Sequence, residues 1–69
     1  HLNIVKLLIE KGCDINKQDN YGYTSLHIAS QNGYLDIVKF LIEKGCDIDK
    51  QDKDGRTSLF IACERGMFG

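Results

Sequence analysis

Residues 1–33, HLNIVKLLIEKGCDINKQDNYGYTSLHIASQNG, and residues 34–66, YLDIVKFLIEKGCDIDKQDKDGRTSLFIACERG, are two versions of one 33-residue unit, identical at most positions. A period of this length marks a stacked-repeat architecture, in which each unit is one supersecondary element that hides its apolar face only against its neighbours. Every other pattern in the chain is read through that period.

Within each period, Leu2 to Lys11 and Leu35 to Lys44 carry clustered apolar residues: Ile4, Val5, Leu7, Leu8 and Ile9 in the first copy, and Ile37, Val38, Phe40, Leu41 and Ile42 in the second. Only a narrow polar stripe of Lys6, Glu10, Lys39 and Glu43 interrupts them, so each segment is expected to be a helix buried on most sides. Lysine in the last turn followed by Gly12 or Gly45 suits a helix end whose next residue is left-handed. A second, shorter helix starts at Thr24-Ser25-Leu26 and Thr57-Ser58-Leu59, with threonine as N-cap, and runs to Gly33 or Gly66. The polar segments GCDINKQDNYG and GCDIDKQDKDG form the loops, their Asp and Gly residues favouring tight turns. The fold class is all-α: each unit is a turn, a short helix and a long helix.

The motif D-x-x-G-x-T-S-L-H-I-A at Asp19 to Ala29, followed by the long helix and G-C-D-I-D from Gly45, resembles the ankyrin repeat. The resemblance covers essentially the whole chain and implies a solenoid of stacked helix-turn-helix units joined by β-hairpin-like loops. Two departures matter. The family's Thr-Pro-Leu-His becomes Thr24-Ser25-Leu26-His27 and Thr57-Ser58-Leu59-Phe60, and the alanine that usually follows the helix-ending glycine becomes Cys13 and Cys46. Serine lacks the preset φ of proline at the first helical position, so each short helix is expected to start less rigidly. The family's histidine hydrogen-bonds to loop groups; His27 is expected to do so, whereas Phe60 cannot, which should loosen the last loop.

In the family's register the chain holds about two repeats of material: residues 1–18 as the long helix and loop of a first, truncated repeat, residues 19–51 as a complete repeat, and residues 52–69 as the loop and short helix of a further one. Neither end reads as a polar cap. Leu7 and Leu8 near the start, and Leu59, Ile61, Met67 and Phe68 near the end, are expected to be partly exposed apolar groups that invite association. The 69-residue chain alone is therefore expected to be weakly folded or to self-associate, and a sharp, concentration-independent two-state melt of a monomer would count against that.

A chain of 69 residues buries only about 60% of its unfolded surface, which makes a self-sufficient core doubtful. Its 42% hydrophobic and 28% charged residues match an ordinary folded domain and not a disordered one. A formal net charge of -1 leaves no basic surplus for phosphates, so nucleic acid is not the expected partner. The longest apolar runs, Leu7 to Ile9 and Phe40 to Ile42, are far below the roughly 20 residues of a membrane span, and no signal-peptide pattern opens the sequence.

The two copies compare themselves position by position. Their differences cluster at Asn20/Lys53, Tyr21/Asp54 and Tyr23/Arg56 in the loop, and at Ser30/Cys63, Gln31/Glu64 and Asn32/Arg65 at the end of the short helix. The ankyrin resemblance implies that these loop tips and short-helix surfaces contact partners. The candidate partner-binding residues are Asn20, Tyr21, Tyr23, Gln31 and Asn32, an aromatic and polar patch, continued by the mixed-charge set Lys53, Asp54, Arg56, Glu64 and Arg65. The competing reading is that they are tolerated solvent positions.

Other chemistry is weaker. His27 near Ser25, Ser30 and several aspartates permits a Ser-His-Asp set on paper, but the aligned Phe60 and the lack of an oxyanion hole argue for the loop-bracing role. Cys13 and Cys46 are equivalent positions about 8–10 Å apart in stacked layers, beyond the ~7 Å limit of a disulfide, and are expected to be small buried hydrophobes. Unbridged thiols favour an intracellular setting, cytoplasmic or nuclear. The loop Asp47 to Gly55 resembles a calcium loop, yet with Gly55 at the turn position Lys50 falls on the first ligand and Ile61 where a bidentate Glu belongs. No catalytic, cofactor or metal site is assigned. The expected function is a protein-protein interaction module, with structural spacer repeats as the alternative and part of an enzyme's regulatory region a distant third; the expected partners are another protein, neighbouring repeats of the parent chain, and a second copy.

Overall fold

Thr24 shows how locally these helices are specified. In the computed structural model, which describes residues 2–64, its backbone is extended and its Oγ1 accepts the N–H of His27 at 3.3 Å. The His27 ring returns the favour, Nδ1 accepting the Thr24 N–H at 3.1 Å, so two orphan donors of the helix start are satisfied reciprocally. The helix this cap opens, α2, spans Ser25–Asn32, after α1 at Leu2–Glu10 and before α3 at Leu35–Glu43 and α4 at Ser58–Glu64. There are no strands among the described residues.

The helices stop where glycine permits. Gly33 adopts φ +70, and behind it the Tyr34 N–H reaches Ala29 O at 3.0 Å and the Gly33 N–H reaches Ser30 O at 3.3 Å, the paired bonds of a Schellman ending. The same bonds close α1, from Gly12 and Cys13 to Ile9 and Leu8, and α3, from Gly45 and Cys46 to Ile42 and Leu41. Lys11 and Lys44 thus lie just past the helices and not in their last turns.

Packing follows the period. α2 and α3 form an antiparallel hairpin, the short helices α2 and α4 lie side by side, and the long helices α1 and α3 do likewise. The core is Leu26, Ala29, Ile37 and Leu41, with Leu2, Val5, Ile15, Val38 and Cys46 half-buried around it. Phe40 is buried beneath the ammonium groups of Lys6 and Lys44, each 5.7 Å from its ring centre.

Three expectations are corrected by this arrangement. The long helices are not buried on most sides: α1 has no fully buried residue, and in α3 only Ile37, Phe40 and Leu41 are buried while Leu35 and Ile42 are exposed. A helix apolar all round needs neighbours on two sides, and among the described residues each long helix is covered on part of its surface. Cys13 is exposed and Cys46 half-buried, because the residue after the helix-ending glycine sits at the rim of the stack; burial still pushes the Cys46 thiol up, reinforced by the Asp47 charge. Ile61 is buried, since α4 lays it against α2, whereas Leu7, Leu8 and Leu59 are exposed as expected. Met67 and Phe68 lie outside the described residues.

Candidate functional site

Each loop is a hairpin-like turn built around one aspartate. Asp19 N–H donates to Tyr23 O at 2.9 Å and Gly22 N–H to Asp19 O at 3.0 Å, while Asp19 Oδ1 accepts from the N–H groups of Tyr21 and Tyr23 at 2.8 and 2.9 Å. One period later Asp52 Oδ1 does the same for Asp54 and Arg56, both at 2.9 Å. These carboxylate oxygens are occupied in holding turns, as are those of Asp14 and Asp47, which accept the N–H two residues on.

The loops stack on one another through backbone and side chain alike. Lys53 N–H donates to Tyr21 O at 3.0 Å, Gln18 Nε2 bridges Gly22 O and Gln51 O at 2.9 Å each, and Asp47 N–H donates to Asn16 Oδ1 at 2.7 Å. His27 completes the link. Its Nε2 lies 2.9 Å from Arg56 O, a carbonyl that can only accept, so the proton is on Nε2 and Nδ1 is the acceptor facing Thr24. Both ring nitrogens are thus engaged in bracing, which leaves neither to act as base toward Ser25 or Ser30. At the equivalent position Phe60 is exposed; its N–H still reaches Thr57 Oγ1 at 3.3 Å, so only the backbone half of that cap forms.

Arg56 organises the patch. Its Nε donates to Asp52 Oδ2 at 3.0 Å, and its Nη2 to the Tyr23 hydroxyl and to Asp54 Oδ2 at 3.3 Å each. Burial alone would push the Asp52 carboxyl up, but the Arg56 and Asp54 N–H groups and the Arg56 guanidinium outweigh it and hold the group below its usual range. A depressed folded value gives stability that is present above about pH 3.9, the unfolded carboxylate value, and lost as pH falls through the folded one. Thermal melts from pH 7 to pH 2 should therefore fall more steeply in the native chain than in Asp52→Asn; parallel curves would contradict this.

The candidate residues divide by what they touch. Tyr21 is 66% exposed, with its ring 6.1 Å from that of Tyr23, and Asn20, Gln31, Lys53, Asp54 and Glu64 are also exposed. Tyr23 is half-buried, packed 6.0 Å from the His27 ring and bonded to Arg56, which is half-buried too. Asn32 is exposed but donates to Ile28 O at 2.9 Å, closing its own helix. Arg65 lies outside the described residues. Tyr23, Gln31, Arg56 and Glu64 meet, together with Ile61, around a small cleft of about 110 Å³ between the loops and the short helices. Ile61, expected from the sequence as a partly exposed apolar group near the chain end, is instead buried and lends its side chain to this cleft.

The sequence that folds this way, with its 33-residue period and the Thr24-Ser25-Leu26-His27 motif, is matched over residues 1–68 by the family described as ankyrin repeats, in three copies. The chain belongs to the ankyrin-repeat family. It is an all-α array of two to three repeats. Ankyrin repeats are in general non-catalytic scaffolds that bind other proteins, through the extended surfaces that stacking creates. Among curated proteins, a 34-residue stretch is 50% identical to protein phosphatase 1 regulatory subunit 27 of Homo sapiens and of Mus musculus, covering 49% of this chain and 22% of each relative. Over 34 residues it is 44% identical to the potassium channel AKT1 of Arabidopsis thaliana, of which it covers 4%. Proteins this different share the repeat as a building block. No described helix is long and apolar enough to cross a membrane.

Proposed function

We propose that this ankyrin array binds a partner protein through its loop tips and the outer side of its short helices, with Tyr21, Gln31, Glu64 and Lys53 as the accessible contacts and Tyr23 and Arg56 as the frame that holds them. The observation that carries this reading is the convergence of positions that differ between the copies upon one cleft, lined by Tyr23, Gln31, Arg56 and Glu64. Tyr21 beside it supplies an exposed, rigid, amphipathic side chain of the kind that dominates binding energy. A regulatory subunit of a phosphatase among the relatives fits a chain whose work is done by binding. An intracellular location, cytoplasmic or nuclear, belongs to the same proposal and is supported by three unpaired cysteines.

The spacer reading has an observation of its own. The Tyr23 hydroxyl, the Arg56 guanidinium and the Tyr21 and Lys53 backbones are already spent on links between the two repeats. The test must therefore use side chains free of those links. Affinity capture is compared by mass spectrometry between the native chain and a Tyr21→Ala/Gln31→Ala double variant. Proteins retained by the first should be lost from the second by about tenfold or more, as expected for removing a contact worth at least ~1.4 kcal/mol, with the circular dichroism spectrum unchanged. Equal recovery would favour the spacer.

A further inference from the structure

The cleft at the loop tips lies between two neighbouring repeats, Tyr23 and Gln31 coming from one and Arg56, Ile61 and Glu64 from the next. Its charges narrow what can enter. Among the described residues Arg56 is the one cation lining it, and that charge is already met: Nε donates to Asp52 Oδ2 at 3.0 Å and Nη2 to Asp54 Oδ2 at 3.3 Å. Glu64 adds a third carboxylate, exposed and without an ion pair among the described residues. Three carboxylates thus stand against one guanidinium, and the cleft is an anionic site.

Beside these carboxylates stands an aromatic pair, half-buried Tyr23 and exposed Tyr21, their ring centres 6.1 Å apart. An aromatic face attracts a cation, and a planar guanidinium stacks on such a face while its N–H fork meets a carboxylate. The Gln31 amide oxygen supplies a further, neutral acceptor. At about 110 Å³ the cleft admits one side-chain head and not a helix, which with its side chains is about 10 Å across.

We propose that the cleft receives a cationic side chain of the partner protein, arginine before lysine, with its stem along the tyrosines and its head between the Glu64 carboxylate and the Gln31 amide. The partner segment is accordingly basic. This occupant presupposes the loop-tip binding surface proposed above and adds the charge which that surface selects.

Random linear peptides displayed on phage and selected on the native chain test it, the enriched sequences being synthesised and titrated by isothermal calorimetry. They should carry an arginine at a common position. Replacing that arginine by citrulline, which keeps the shape and removes the charge, should weaken binding about tenfold or more, and replacing it by lysine should weaken it less. Glu64→Gln in the chain should cost the arginine peptide about tenfold and the citrulline peptide nothing, with helical circular dichroism unchanged. Should Glu64→Gln lose that signal, Gln31→Glu takes its place: a carboxylate at the equivalent position should tighten the arginine peptide about threefold or more and leave the citrulline peptide unmoved. Binding that is lost in the Tyr21→Ala/Gln31→Ala variant but indifferent to the citrulline exchange and to Glu64→Gln would overturn the cationic occupant while the binding surface stands. A selection that enriches no peptide, or peptides indifferent to every one of these substitutions, would overturn the occupant and the surface together.

Discussion

Leu41→Ala is expected to abolish the cooperative unfolding transition of this chain. Leu41 is fully buried, and its neighbours Leu26, Ala29 and Ile37 come from two helices that it joins. Truncating such a leucine removes its transfer free energy and leaves a cavity, at a cost of about 2–5 kcal/mol. At ~0.05–0.15 kcal/mol per residue, a chain this short has only about 3–10 kcal/mol in total. The loss is thus comparable with the whole. Leu8 is the built-in control, the same residue one period earlier and 49% exposed. Leu8→Ala, measured at concentrations where the chain is monomeric, should cost less than about 1 kcal/mol. Urea melts followed by circular dichroism compare the two, and similar midpoints would mean that Leu41 is not the centre of the core.

Gly22→Ala is expected to be the most damaging change in the loops, at about 2–5 kcal/mol. Two costs combine. Gly22 has φ +80, a conformation that costs a residue with a Cβ about 1–2 kcal/mol. A Cβ there would also lie 2.8 Å from Lys53 N and 2.9 Å from Asp52 Cα, both backbone atoms that cannot swing aside. Forcing the loops apart adds ~1–3 kcal/mol of overpacking and strains the bond from Lys53 N–H to Tyr21 O. Gly55 is the equivalent glycine, with φ +78, but a Cβ on it would meet nothing within 4 Å. Gly55→Ala should cost the conformational part alone, so the difference between the variants isolates the loop-to-loop contact. Equal costs in urea melts would remove that contact from the account.

Much of this was legible because it is local chemistry. Threonine as N-cap, glycine after the long helices and aspartate at the turns act within four or five residues, so Thr24, Gly33 and Asp19 could be read without knowing what lies beside them. The role of His27 was legible through the family resemblance, while the acceptor it finds, Arg56 O, is 29 residues away. What one copy does to the next was not legible. Tyr23 and Arg56 read as partner contacts in the sequence because they differ between the copies, yet in a stack equivalent positions lie against each other, and the two bond across the repeat boundary. The burial of the long helices was misjudged for a related reason. A helix apolar all round states that it has neighbours on two sides but not which face is covered within these residues, and the reading of Cys13 and Cys46 as small buried hydrophobes, drawn from their equivalence in stacked layers, says nothing of how near the rim they lie.

The most direct test of the central claim, that the loop tips and short helices form the binding surface, is a nitrogen-15 amide NMR titration of the chain with a partner recovered by capture. The account predicts that the shifts concentrate at residues 20–23, 31–32, 53–56 and 64, with those of α1 and the outer face of α3 unmoved. Perturbations confined to the long helices, with the loop tips silent, would contradict it.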